Sequence, residues 1–146
     1  MKRMFLMMAI MLIAVITLKA QSPEIFIKNG YAIGGFDAVA YFTENKPVKG
    51  DTTISITWKK AKWLFSSKKN ADLFQSNPEK YAPQYGGYCA YGCSRGYKAT
   101  TEPDAFTVSD GKLYLNYNLK TKEVWLKDMK AYIQKADKNW ESIQNN

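Results

Sequence analysis

Polar and apolar positions change period several times along this chain, and each change marks an element. Ile54, Ile56 and Trp58 alternate with Ser55 and Thr57, the period of two that a half-buried strand requires, and Trp63, Leu64 and Phe65 supply its hairpin partner. A second hairpin is predicted from Ala105–Ser109 and Lys112–Asn116, because the Asp110-Gly111 pair between them suits the positive φ angles of a two-residue turn. Nearer the N-terminus, Ile25-Phe26-Ile27 and Ala38–Phe42 are short apolar runs separated by Gly30 and by Gly34-Gly35. They read as extended pieces joined at glycine turns.

Elsewhere the period lengthens. Ser66 or Ser67 is placed to cap a helix carrying Ala71, Leu73 and Phe74, and Asn77-Pro78 ends it and opens another turn with proline at the first helical position. From about Thr121 to Ile143, the residues Trp125, Met129, Tyr132, Ile133, Ala136, Trp140 and Ile143 recur at spacings of three and four. That stripe predicts one long amphipathic helix packed on the sheet, serving as core and not as a ligand site. Between these regions, Tyr85–Gly96 holds four glycines, three tyrosines and both cysteines, and propensity leaves helix and ordered loop equally open. The fold class expected is α+β: small antiparallel hairpins packed with helices, closed by a long C-terminal helix.

Composition adds a destination. Met1-Lys2-Arg3 precedes an uncharged stretch from Met4 to Leu18, too short to span a bilayer comfortably and the right length for a signal-peptide core. Cleavage after Ala20 is expected, making residues 1–20 a signal peptide and 21–146 one exported domain, periplasmic or secreted, with no stable membrane span. The 21 basic residues less Lys2, Arg3 and Lys19 leave 18 against 13 acidic ones, a net charge of +5. The lysines are dispersed. Their densest group, Lys59-Lys60-Ala61-Lys62, reads as a hairpin tip facing water, so nucleic acid is not the expected partner.

Histidine is absent, which removes the commonest general base and the commonest metal ligand together. The candidate reactive centre is Cys89 and Cys93, in Cys-Ala-Tyr-Gly-Cys. Three readings of the pair stand open: a structural role, thiol redox chemistry, or capture of a soft metal such as copper, with zinc as a further option. Arg95 and a nearby helix start would favour thiolate. On a regular helix, positions four apart hold their β-carbons about 5–6 Å from each other, wider than the ~3.8 Å of a relaxed disulfide. The backbone at this point therefore decides the chemistry. Met129 is a third donor only if the fold brings it close.

Gly35-Phe36-Asp37-Ala38-Val39-Ala40-Tyr41-Phe42, Trp63-Leu64-Phe65-Ser66-Ser67 and Leu73–Tyr81, in that order and spacing, resemble the YHS domain family. Tyr85–Tyr91 and Asp110–Asn118 resemble its exported members in particular. In relatives that handle heavy metals, the resemblance implies cysteines in the first motif and at the start of the helix. The residues falling there in this chain are Ala40, Ser66 and Asn70, which cannot replace thiolates. That metal site is expected to be lost.

A binding module is the alternative to thiol chemistry. Tyr85, Tyr88, Tyr91 and Tyr97 surround the cysteines, and tyrosines suit a small pocket or a protein surface. Asp37, Arg95 and Asn116 complete the candidate binding residues, Asp37 being expected to hold backbone amides in a turn and not to act as a base. No catalytic set is assigned, and the ligand or partner is left open between a small molecule and a protein.

Overall fold

The structure, a computed structural model, describes residues 23–146. The expected signal segment and the cut after Ala20 lie outside the described residues. Among the described residues, three antiparallel pairs and six α-helices make up the fold, which is α+β as expected. The pair β1 (Ile27–Lys28) and β2 (Tyr31–Ala32) turns at Asn29-Gly30, both at positive φ. A second pair, β3 (Asp51–Trp58) and β4 (Ala61–Phe65), sets Ile56 opposite Trp63 and turns at Lys59-Lys60. In the third, β5 (Phe106–Ser109) and β6 (Lys112–Leu115) face each other from Phe106 opposite Leu115 to Ser109 opposite Lys112. Asp110 and Gly111 between them have φ of 49° and 69°, the two positive angles that an Asp-Gly hairpin turn requires.

Ala38–Phe42 is not extended. Residues Ala40–Thr43 form a helical turn, α1, because the Asp37 carboxylate accepts the amides of Val39 and Ala40 and bends the chain into it. The following helices obey their sequence signals. Ser67 caps α2 (Lys68–Ser76) by accepting the Asn70 amide, and Asn77 caps α3 (Pro78–Tyr81), which has proline in its first turn. Tyr85–Gly96 resolves into both options: a 3-10 turn over Gln84–Gly87, then the five-residue helix α4 (Ala90–Ser94).

The long final helix is in fact two, α5 (Leu119–Leu126) and α6 (Met129–Ile143). Asn118 caps the first by accepting the Thr121 amide, and Asp128, at φ −147° and ψ 52°, breaks the run. The break lets two surfaces be covered in place of one. Trp125 on α5 is sealed against Tyr114, ring centres 5.2 Å apart, while α6 folds back along α4 and the tyrosines beside it. The apolar stripe, expected to pack on the sheet, packs chiefly on α4 and on Tyr85 and Tyr88 beside it, and meets β6 where Trp125 contacts Tyr114.

Two apolar clusters result. The larger joins Val39 and Tyr41 of the first motif to Trp63, Phe65, Phe74, Leu113 and Leu115, and its rings stack closely, Phe74 lying 5.1 Å from Trp63 and 5.0 Å from Phe65. The smaller is made by Phe26, Tyr85, Tyr88, Cys93, Tyr114, Trp125 and Ala136. Among the described residues no helix is long and apolar enough to cross a membrane.

Candidate functional site: a cysteine beneath a tyrosine-walled cavity

The two cysteines share one turn of chain. Cys89 is the N-cap of α4 and Cys93 its fourth residue, with the Cys93 amide donating to the Cys89 carbonyl at 2.9 Å. Both are free thiols and both are buried, at 2% and 0% exposure. Their surroundings nonetheless differ. Cys93 lies in the smaller apolar cluster against Tyr85 and Tyr88. Burial pushes its thiol up to about 12, the neighbouring Cys89 adds to the rise, and Lys98 opposes it. Arg95, expected to favour thiolate here, is exposed and caps the C-terminal end of α4, so the cation acting on Cys93 is Lys98.

Around Cys89 the sulfur has polar company. Its Sγ accepts the main-chain amides of Gly92 at 3.4 Å and Tyr117 at 3.3 Å, and its S–H donates to Asn116 Oδ1 at 3.5 Å. Burial raises this thiol as well, but the amides of Gly92, Tyr117 and Tyr91 pull it back toward thiolate. The position is fixed from both sides, since the Cys89 amide donates to Ala99 at 3.0 Å and the residue bridges to Leu115 at the end of β6.

Cys89 also reaches a surface cavity of about 290 Å³, lined with Tyr91, Tyr97, Ala99, Tyr117 and Thr121. Tyr97 and Tyr117 are half exposed, at 52% and 51%, and Tyr91 is held edge-on against Tyr132 of α6 with ring centres 5.3 Å apart. The cavity is thus one thiol at the foot of three phenol rings. It is small, apolar at its walls and hydrogen-bonding at its base.

The other residues singled out from sequence fall elsewhere. Tyr85 and Tyr88 are core residues: the Tyr85 hydroxyl donates to Asp137 at 2.8 Å and that of Tyr88 to the Pro23 carbonyl at 2.7 Å. Burial raises both hydroxyls above the usual tyrosine range, Tyr85 by the larger margin with the help of Asp137. Asn116 is fully buried, accepting from Cys89 and the Tyr91 amide with Oδ1, while its Nδ2 has no partner among the described residues. Tyr117 and Thr121 escaped notice as wall residues. The one signal available was the polar-aromatic run Asn116-Tyr117-Asn118, whose position beside the cysteines depends on the β5–β6 hairpin.

Asp37 is sealed at 0% exposure. Its Oδ1 accepts from Val39 and Ala40, and its Oδ2 from the Ser66 amide at 2.8 Å, the Ser66 hydroxyl at 2.7 Å and Asn70 Nδ2 at 2.8 Å. The three positions expected to replace metal-binding cysteines, Ala40, Ser66 and Asn70, therefore meet at this one carboxylate. They do not fit a soft metal. No thiolate is present, and both carboxylate oxygens are already bonded to donors of the chain. Among the described residues no group of three or more His, Cys, Asp or Glu gathers as a ligand set. Four-coordinate zinc at Cys89 and Cys93 therefore lacks side-chain partners of the usual kinds. Met129 packs against the same apolar cluster as Cys93.

Compared with known proteins, the chain matches the family model of the YHS domain over residues 39–85. No curated protein and no solved structure matches it. The matched segment runs from α1 through the β3–β4 hairpin and α2 to Tyr85, so it contains the Asp37 partners Ser66 and Asn70 and stops short of every residue lining the Cys89 cavity. The YHS domain match is thus confined to residues 39–85, and the hairpin and helices that follow it carry the cavity lined by Cys89.

Proposed function

We propose that this is an exported, thiol-bearing binding module in which Cys89 alone is the working sulfur and Tyr91, Tyr97 and Tyr117 hold a small ligand against it. The observation supporting this reading is the unequal placement of the two cysteines: Cys89 lines the cavity and Cys93 does not. A dithiol oxidoreductase needs both sulfurs in turn, one to attack and one to resolve. Here the second is enclosed by aromatic rings and keeps its proton to about pH 12. Soft-metal handling through the pair requires an ion to reach Cys93, which is 0% exposed and does not line the cavity that Cys89 lines.

Thiol-reactive ligands suit Cys89 better. An electrophilic or disulfide-containing small molecule of a size to enter about 290 Å³ would be met by a sulfur whose negative charge three main-chain amides stabilise as it develops. Reduced protein and its Cys89→Ser and Cys93→Ser variants, titrated separately with cystamine, a disulfide small enough for the cavity, and with copper(I), distinguish the readings. We expect one mixed disulfide per chain in wild type and Cys93→Ser, none in Cys89→Ser, and no stoichiometric copper that depends on both cysteines. Copper bound one to one and lost in either variant would replace this reading with metal capture.

A further inference from the structure

A second cavity, lined in part by the 3-10 turn itself and sharing none of the Cys89 site's lining, combines two indoles with an excess of carboxylates. It encloses about 270 Å³, and its walls include Trp58 and Trp140, with Glu24, Glu79 and Asp137 carrying negative charge and Lys59 the positive charge. The three acids against one lysine stand out in a chain whose formal net charge is +8. Asp137 is fixed by the Tyr85 hydroxyl at 2.8 Å, which leaves its second oxygen for another donor.

The chain already shows what this place accepts. The Lys59 ammonium lies 4.9 Å from the centre of the Trp58 ring and 2.7 Å from Glu24 Oε1, a cation held between an indole face and a carboxylate. Lys59 sits at the tip of the β3–β4 hairpin with φ of 48°, and its side chain is 38% exposed. The ion pair it makes is of the partly solvated kind that contributes little and exchanges readily. Its ammonium is therefore a displaceable tenant and not part of the walls.

We propose that this cavity is a binding site for a small organic ammonium ion, an amine or quaternary ammonium with a short apolar body, and that Lys59 occupies the cation position when the ligand is absent. The indoles take the apolar body and the cation's face, and Glu24 and Asp137 take its charge. A neutral molecule of the same shape gains only the first of these. The site is independent of the Cys89 reading and stands if that reading fails.

Tetramethylammonium and choline, titrated into the full chain and followed by tryptophan fluorescence, test the assignment, with neopentyl alcohol as a neutral probe of similar shape. Saturable binding of the cations is expected in wild type, at least about tenfold tighter in Lys59→Ala, and weakened at least about tenfold when Glu24→Gln is added to Lys59→Ala. Circular dichroism melts verify that each variant is folded. Glu79→Gln, at a carboxylate on the exposed rim, serves as a second variant and should weaken binding severalfold. Absence of saturable binding in both wild type and Lys59→Ala would overturn the proposal, as would equal affinity for the neutral probe.

Discussion

At Asp37, two carboxylate oxygens meet five donors drawn from three stretches of chain, and the charge is thereby used for assembly. It bends the first motif into α1 and ties it to the end of β4 and the start of α2. An Asp37→Asn substitution keeps the shape but presents an NH₂ group to donors, so at least one buried donor loses its partner. Hydrogen bonds to a charged group are worth about 1.5–3 kcal/mol each. A loss of about 3 kcal/mol or more in urea denaturation is expected, and a change below about 1 kcal/mol would contradict the role. The sequence makes Asp37 legible as a holder of amides, since Asp before a turn has that chemistry locally. Its bonds to Ser66 and Asn70 were not legible, because they span 29 and 33 residues and exist only after the hairpin and helix are in place. The cysteines show the same division. Their spacing places them on one turn, yet nothing local says that Tyr117, beyond the end of β6, gives one sulfur an amide while α6 packs over the other.

Among the elements, those governed by local chemistry were legible. The Asp-Gly turn, the alternation of β3, the serine cap of α2 and the Asn-Pro start of α3 stand where their side chains require them. The break at Asp128 was hidden by a stripe that runs straight across it. Trp125 and Met129 are four apart and continue the period, but only a bend allows Trp125 to enter the core while Tyr132 and Trp140 cover Tyr91, Tyr85 and Tyr88. The Asn118 cap holds the start of α5 next to Tyr117, whose amide bonds the Cys89 sulfur. Asn118→Ala should cost about 1 kcal/mol in thermal or urea unfolding, the usual value of an N-cap side chain. It should also raise the rate at which Cys89 is alkylated in the folded protein. Stability lost with no change in that rate would separate the cap from the site.

For the molecule as a whole, the segment that matches the YHS domain, residues 39–85, packs with the rest of the described chain into two apolar clusters, and the weakly polar groups sealed inside them set its response to base. Cys93 is raised from 9.0 to about 12, and Tyr41 and Tyr85 are raised above 10.0, all chiefly by burial. Below about pH 9 these groups hold their protons in both folded and unfolded chains and stability does not depend on them. Above it the unfolded chain releases protons that the folded one retains, so stability falls as pH rises from about 9 through 12. The melting temperature should therefore drop across that window, and Cys93→Ala should flatten the lower part of the fall. The most direct measurement is alkylation of the reduced, folded protein with iodoacetamide, each cysteine followed separately by peptide mass spectrometry. Cys89 should be modified in the native state, faster as pH rises from 7 to 9, and Cys93 only after unfolding. Modification of Cys93 at an equal or greater rate, or of neither cysteine until denaturant is added, would contradict the assignment of Cys89 as the working thiol.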